Sequence, residues 1–253
     1  MITSVRQTAA MSKRSILALL RQPALVVPSM VFPLFFAALG TSSFGRATHL
    51  PGFPKVDSFL DFSLAGTIVQ GVLFGSVQSG SALATDIENG FFFRLLASPT
   101  SRLGILVGRL MGAATYGAAQ TLFFTLLLIP FGLRVKGGVG GAVVMLIAGG
   151  LTAIAVAGFM AAMALRTGSS EAVQGVFPLV FIALFFSSAF FPRQTMTGAY
   201  RHIANLNPIS YLIEGLRELC INGFTAASCA KSLLVPIGIM IVSFALALRA
   251  LSK

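Results

Sequence analysis

Six stretches of the chain run without a single Asp, Glu, Lys or Arg: residues 22–45, 62–85, 110–133, 137–165, 172–192 and 232–248. A helix rises about 1.5 Å per residue, so about 20 apolar residues cross the hydrocarbon core of a bilayer. The windows approach or exceed that length, the last being the shortest. They are continuously apolar and do not alternate, which fits helices and excludes the strands of a membrane β-barrel. The pattern predicts an all-α integral membrane protein, a single domain over residues 1–253 with six transmembrane helices.

The segments between the windows add smaller elements. Residues 1–22 carry Arg6, Lys13, Arg14 and Arg21 with no acidic residue, beside Val5, Ile16, Leu17, Leu19 and Leu20. This predicts a helix lying in the inner membrane interface. The rival reading is a cleaved secretory leader ending near Ala37-Ala38-Leu39-Gly40; the long basic region and Pro23, Pro28 and Pro33 disfavour it. A basic leader sets the N-terminus in the cytoplasm, and six spans return Arg249–Lys253 to the same side. Residues 46–61 then form an outer loop, 86–109 the longest inner loop, and 134–136 and 166–171 tight turns. Residues 193–231 are too polar for a span and too apolar for plain loop. Two short re-entrant helices over 195–219 suit them, with Asn207 as cap and Pro208 at a first helical position.

Composition sharpens the class. A mean hydropathy of +0.89 with only 10% charged residues is incompatible with a soluble domain. The net charge of +11 is dispersed between the windows, which fits anionic lipid headgroups and not nucleic acid. None of Lys13, Lys55, Lys136, Lys231 and Lys253 follows a glycine, so the chain has no Gly-Lys-Ser/Thr phosphate loop and no nucleotide site of that kind. Ion-coupled carriers place charges at mid-membrane, and the windows hold none. Their polar residues are Gln70, Gln78, Gln120 and Gln174, suited to interhelical hydrogen bonds or to lining a substrate path. No Gly-x-Ser-Gly or His-Glu-x-x-His motif occurs, and His49, His202, Cys220 and Cys229 have no zinc-site spacing. The two cysteines fall on the outer face, as free thiols or as a disulfide. Gly71 and Gly75, and Gly104, Gly108 and Gly112, form close-packing faces for contacts within the chain or between two chains.

Two motifs carry a resemblance. The inner loop contains Asp86, Glu88, Gly90, Arg94, Leu95, Leu96, Ser98 and Pro99, and the outer segment contains Asn207-Pro208-x-x-Tyr211-x-x-Glu214-x-x-Arg217. In this order and topology they resemble the ABC-2 family of ATP-binding-cassette permeases, of the daunorubicin-resistance type. Where that family often has Gly-Thr-x-Glu, this chain has Gly90-Phe91-Phe92-Phe93 and lacks the second glutamate.

The resemblance implies a permease subunit of an ATP-driven exporter in the bacterial plasma membrane, both termini cytoplasmic, moving a hydrophobic drug-like or lipid-linked substrate outward. ATP and Mg would bind a separate ATPase subunit, and this chain would bind no cofactor. A second permease chain, identical or related, would complete the path. The inner loop, Gly90 among its residues, would be a coupling helix: Glu88 and Arg94 for polar contact, Phe91, Phe92, Phe93, Leu95 and Leu96 as an apolar knob, Pro99 as stop, and Arg102 at the interface. Asn207, Pro208, Tyr211, Glu214 and Arg217 would support an outer gate, with Glu214 and Arg217 paired at i, i+3 on one helix face. Phe32, Phe35, Phe62, Gln70, Phe74, Gln78, Phe181, Phe185 and Phe186 would lie along the path on the first, second and fifth spans. A self-sufficient channel or carrier, or a membrane scaffold without transport, is the alternative on residues alone.

Overall fold

A computed structural model describes residues 9–14, 16–17, 23–49, 51–98 and 101–252. Residues 9–14 are helical; most of the expected interfacial helix over 1–22 lies outside the described residues. The helices that follow are α1 (Pro23–Phe44), α2 (Phe59–Glu88), α3 (Phe91–Leu96), α4 (Arg102–Leu128), α5 (Gly138–Thr167), α6 (Ser170–Gln174), α7 (Phe177–Phe185), α8 (Gly198–Leu206), α9 (Pro208–Ile221) and α10 (Ala226–Leu251). No strand occurs among the described residues.

Among the described residues, five helical segments are long and apolar enough to cross a membrane: Val26–His49, Phe59–Glu88, Arg102–Phe131, Gly138–Thr167 and Ala226–Leu251. They correspond to five of the six apolar windows. The remaining window, 172–192, is a shorter apolar stretch, Ser170–Phe185, broken into α6 and α7. Gly175 closes α6, and Pro178 opens α7 in its first turn, where its missing N–H costs nothing. α7 ends at Phe185, and the chain then turns into the outer segment of α8 and α9.

α2 and α4 extend past the starts of their windows, where the charges are satisfied. α2 starts at Phe59 with a capping box: the Ser58 hydroxyl accepts from the Leu60 N–H at 3.2 Å, and Asp61 accepts from the Ser58 N–H at 3.1 Å. The other Asp61 oxygen accepts from the Arg134 N–H at 2.9 Å, which fixes the turn between α4 and α5 against the head of α2. α4 starts at Arg102 and carries Arg109 in its buried face, where Asp86 of α2 pairs with it.

α2 is the axis of the bundle. Its apolar window is 94% buried, against 17% for the first span and 22% for the last, and it contacts α1, α4, α5, α6, α7 and α9. Lipid provides no hydrophobic force between helices, so close backbone approach carries the packing. At Gly75 a methyl group would lie 2.6 Å from the Tyr116 ring and 2.9 Å from the Gln120 amide oxygen. α4 and α5 cross at Gly117 and Gly149, where a side chain on either would meet the other's backbone. Gly71 likewise admits the Phe124 ring, and Gly104, Gly108 and Gly112 are buried. All five expected glycines therefore pack within the chain, and the tightest crossing of α4 uses Gly117, outside the spaced set.

A polar cluster sits beside Gly75. Gln120 Nε2 donates to Ser29 Oγ at 3.1 Å, and Ser29 Oγ lies 3.2 Å from the Tyr116 hydroxyl. It ties α1 to α4 behind α2. Gly75→Ala should destabilise the bundle by about 1–3 kcal/mol, as overpacking of a filled core does. The check is the thermal midpoint in detergent; a midpoint equal to wild type would remove the α2–α4 approach as a support of the fold.

Candidate functional site

At one end of the bundle, α2 stops at Asn89, and Gly90 turns the chain with φ of 70°, a left-handed conformation that favours glycine. The turn sets α3 across the base of the bundle. Phe92 is buried and anchors α3, while Leu95 and Leu96 pack against the core. Phe93 is 60% exposed and Arg94 is exposed beside it. Arg102 is also exposed, at the start of α4, where the Ser101 hydroxyl accepts from the Gly104 N–H at 3.0 Å. Pro99 lies outside the described residues.

Asp86 holds this base together. Arg14 donates to both its oxygens at 3.0 Å, and Arg109 pairs with it from α4. The Arg14 guanidinium also lies over the Phe91 ring at 4.0 Å, so the helical residues 9–14 grip α3 directly. Phe91 is thus occupied by Arg14, with Arg94 farther off at 5.8 Å. Glu88 does not stand free: it accepts from the Ser170 backbone N–H at 2.6 Å and from its hydroxyl at 3.0 Å. Within the apolar knob the residues therefore differ: Phe92 anchors, Phe91 is covered, and Phe93 points outward.

At the opposite end every residue of the second motif has a structural task. Asn207 caps α9 by accepting from the Ile209 N–H at 2.9 Å, and its amide donates to the carbonyls of Ala183 at 2.6 Å and Phe186 at 3.0 Å. Pro208 opens α9. The Tyr211 hydroxyl donates to the Asn205 carbonyl at 2.8 Å, and its ring lies 4.3 Å beneath the Arg193 guanidinium. The expected Glu214–Arg217 pair does not form. Glu214 takes a two-pronged bond from Arg193, whose Nε donates to Oε1 at 2.5 Å. Arg217 turns inward, 5% exposed, and donates to the carbonyls of Phe62 at 3.0 Å and Ser188 at 2.7 Å while lying 3.7 Å over the Phe62 ring. A helical i, i+3 pair is worth only ~0.2–0.5 kcal/mol, which cannot compete with satisfying carbonyls freed by the end of α7. Arg193 was missed from sequence because nothing in local spacing reports a partner twenty-one residues away.

The expected path residues divide into two groups. Phe62, Gln70 and Phe74 are buried within the chain, and Gln78 is half-buried. Phe32 and Phe35 are exposed on α1, and Phe185 on α7. Between the groups runs an aromatic ladder. Phe74 stacks with Phe181 at 5.9 Å, Phe181 meets Phe185 at 4.7 Å, and Phe185 meets Phe190 at 4.6 Å. Phe36 of α1, outside the expected set, closes it, with Phe185 at 6.1 Å and Phe190 at 5.5 Å. Phe186 stands apart against Tyr200 at 5.4 Å. Beside the ladder lies an apolar cavity of 210 Å³ lined by Phe36, Phe44, Phe59, Phe185, Phe190 and Phe191, with Ser63, Thr67 and Tyr200 among its few polar neighbours. Of the glutamines, Gln174 donates to Ser81 at 3.1 Å and Gln120 to Ser29, whereas Gln70 Nε2 and Gln78 Oε1 are buried without a partner.

Cys220 and Cys229 are both free thiols. Cys220 is fully buried, and burial pushes its thiol up to about 12, so it is inert. Among the described residues no group of His, Cys, Asp and Glu could hold a metal ion.

Comparison with known proteins agrees with this architecture. The family model "ABC-2 type transporter" matches residues 6–221. The chain is 32% identical to the daunorubicin resistance ABC transporter permease protein DrrB1 of Streptomyces coeruleorubidus, over 86% of this chain and 76% of that protein. It is 24% identical to the "Probable doxorubicin resistance ABC transporter permease protein DrrC" of Mycobacterium tuberculosis, over 94% of this chain and 85% of that one. With two matching motifs, an all-helical membrane bundle and these relatives, the chain belongs to the ABC-2 type transporter family.

Proposed function

We propose that this chain is the permease of an ATP-driven exporter that moves hydrophobic, drug-like or lipid-linked molecules outward across a bacterial plasma membrane. The observation that supports it best is the cytoplasmic cap. Phe93 is 60% exposed next to the exposed Arg94, on a short helix held rigidly by buried Phe92 and by the Asp86 clamp. A large aromatic side chain presented to water on a fixed support is the signature of a binding hot spot. The chain has no phosphate loop of its own, so the energy source is a partner ATPase that carries ATP and Mg on this surface. Arg102 and exposed Leu103 extend the surface to the head of α4.

The aromatic ladder and the cavity beside it favour an apolar cargo, in keeping with the anthracycline resistance in the relatives' names. The exposed Phe32, Phe35 and Phe185 on α1 and α7 suit a path shared with a second permease chain. Both termini belong in the cytoplasm on this reading, with α8 and α9 at the outer face.

The first test is co-purification from the native host in mild detergent. A stoichiometric ATP-binding-cassette subunit is expected, and Phe93→Ala should weaken its retention about tenfold or more, as loss of a hot spot does. A chain that purifies alone and moves solute by itself when reconstituted would instead be a channel or carrier. Topology is read from thiols: an impermeant maleimide should label half-exposed Cys229 from outside intact cells and leave buried Cys220 unmodified. Labelling of Cys229 only after the cytoplasm is opened would invert the orientation.

A further inference from the structure

The carboxylate of Glu88 spans the two cytoplasmic turns of the bundle. On one side it ends α2, two residues before Gly90 and α3. On the other it receives both donors of Ser170, the first residue of α6: the backbone N–H at 2.6 Å and the hydroxyl at 3.0 Å to each oxygen. The α5–α6 turn is shaped for this contact. Gly168 takes φ of 62°, and extended Ser169 caps the helix by accepting from the Ala172 N–H at 3.2 Å. The Ser170 amide, one of the helix's orphan donors, is thereby aimed at Glu88.

Above this point the broken segment is laced to α2. Gln174 donates to Ser81 at 3.1 Å, and the Phe177 ring packs on Phe74 at 4.6 Å. At its far end, Asn207 and Arg217 hold the carbonyls from Ala183 to Ala189. The segment α6–α7 thus has one end on the coupling loop and the other on the outer helices, with a joint at Gly175-Val176 between its halves.

We propose that Ser170 is a positioning residue of the transport cycle: through Glu88 it passes the movement of the coupling helix to the broken segment α6–α7. The proposal rests on the permease reading above. Asn89 and Gly90 are too short a connection to absorb a displacement of α3, so Glu88 moves with it and draws the start of α6 along. The pair is exposed in the isolated chain, where water competes for the carboxylate. Beneath a docked ATPase the water is excluded, and the charge-assisted bonds strengthen in the lower local dielectric. The contact is therefore firm when the partner is seated.

The test uses the complex of the chain with its co-purified ATPase. Ser170→Pro removes both donors yet suits the first helical position, because Ser169 is already extended as a residue before proline must be. The readout is the maleimide labelling rate of the Phe185→Cys chain in a Cys229→Ser background, with and without ATP and vanadate. This parent should show a nucleotide-dependent change in rate. Ser170→Pro should reduce that change at least about tenfold while ATPase binding and ATP hydrolysis persist, the size expected on losing a charge-assisted pair. Ser170→Thr, which keeps both donors, should restore it. A full nucleotide response in Ser170→Pro overturns the inference. Loss of ATPase binding in Ser170→Pro overturns it also, since Ser170 would then support the docking surface and transmit nothing. A parent that binds no ATPase, or shows no nucleotide response, defeats the permease reading itself.

Discussion

A backbone carbonyl inside hydrocarbon has no water to turn to, and leaving one unsatisfied costs several kcal/mol. α7 stops at Phe185 and frees a run of such carbonyls. The outer segment answers them one by one. The Asn207 amide donates to Ala183 and Phe186, the Tyr200 hydroxyl to Phe185, and the Arg217 guanidinium to Ser188 and Ala189. Ser188 adds its own N–H and hydroxyl to Ser210. Every one of these donors or acceptors lies in α8, in α9 or at the junction between them. α8 and α9 therefore serve as the cap of the broken segment, and Asn207 and Arg217 of the second sequence motif are two of the side chains that make it.

The inner end solves a charge problem by similar means. Arg109 lies in the buried face of α4, and an unpaired cation there would cost ~2–3 kcal/mol even on the lenient insertion scale. Asp86 neutralises it and also holds Arg14. Two arginines on one carboxylate leave a net positive site, which suits anionic lipid headgroups. The clamp further binds residues 9–14, α2 and α4 at the point from which α3 departs, so the exposed Phe93 rides on a support with three attachments.

The helical class and five of the spans were legible because lipid imposes a length and an uninterrupted apolar run, and both are one-dimensional properties. Asn207-Pro208 was legible as a helix start, since those residue types act on their own backbone. The break in the fifth window was harder to read. Gly175 and Pro178 mark it, but Val173 to Phe191 is otherwise as apolar as any span. Long-range pairs left no trace at all: Arg193 with Glu214, Glu88 with Ser170 and Asp86 with Arg109 join residues whose proximity only the packed bundle creates. The glutamines showed the same limit. Gln120 and Gln174 found partners across helices, whereas Gln70 Nε2 and Gln78 Oε1 did not.

These contacts differ in how easily they can be remade. α2 is tied to α6 by directional hydrogen bonds that Ser81 and Glu88 accept from Gln174 and Ser170, and to α9 through the bond from Arg217 to the Phe62 carbonyl. α1 meets α7 differently, through ring contacts of Phe36 with Phe181, Phe185 and Phe190 at 5.5 to 6.4 Å. Aromatic pairs tolerate tilted and edge-on geometries at similar energy, about 0.5–1.5 kcal/mol each, so such rings can slide past one another without orphaning a polar group. Breaking the α2–α6 lacing would expose donors and carboxylate oxygens; parting the Phe36 rings from α7 exposes only carbon. The apolar cavity lined by Phe36 and Phe185 lies along that second seam. Separation there orphans no polar group, and it is also a seam where an apolar molecule meets matching chemistry on both sides.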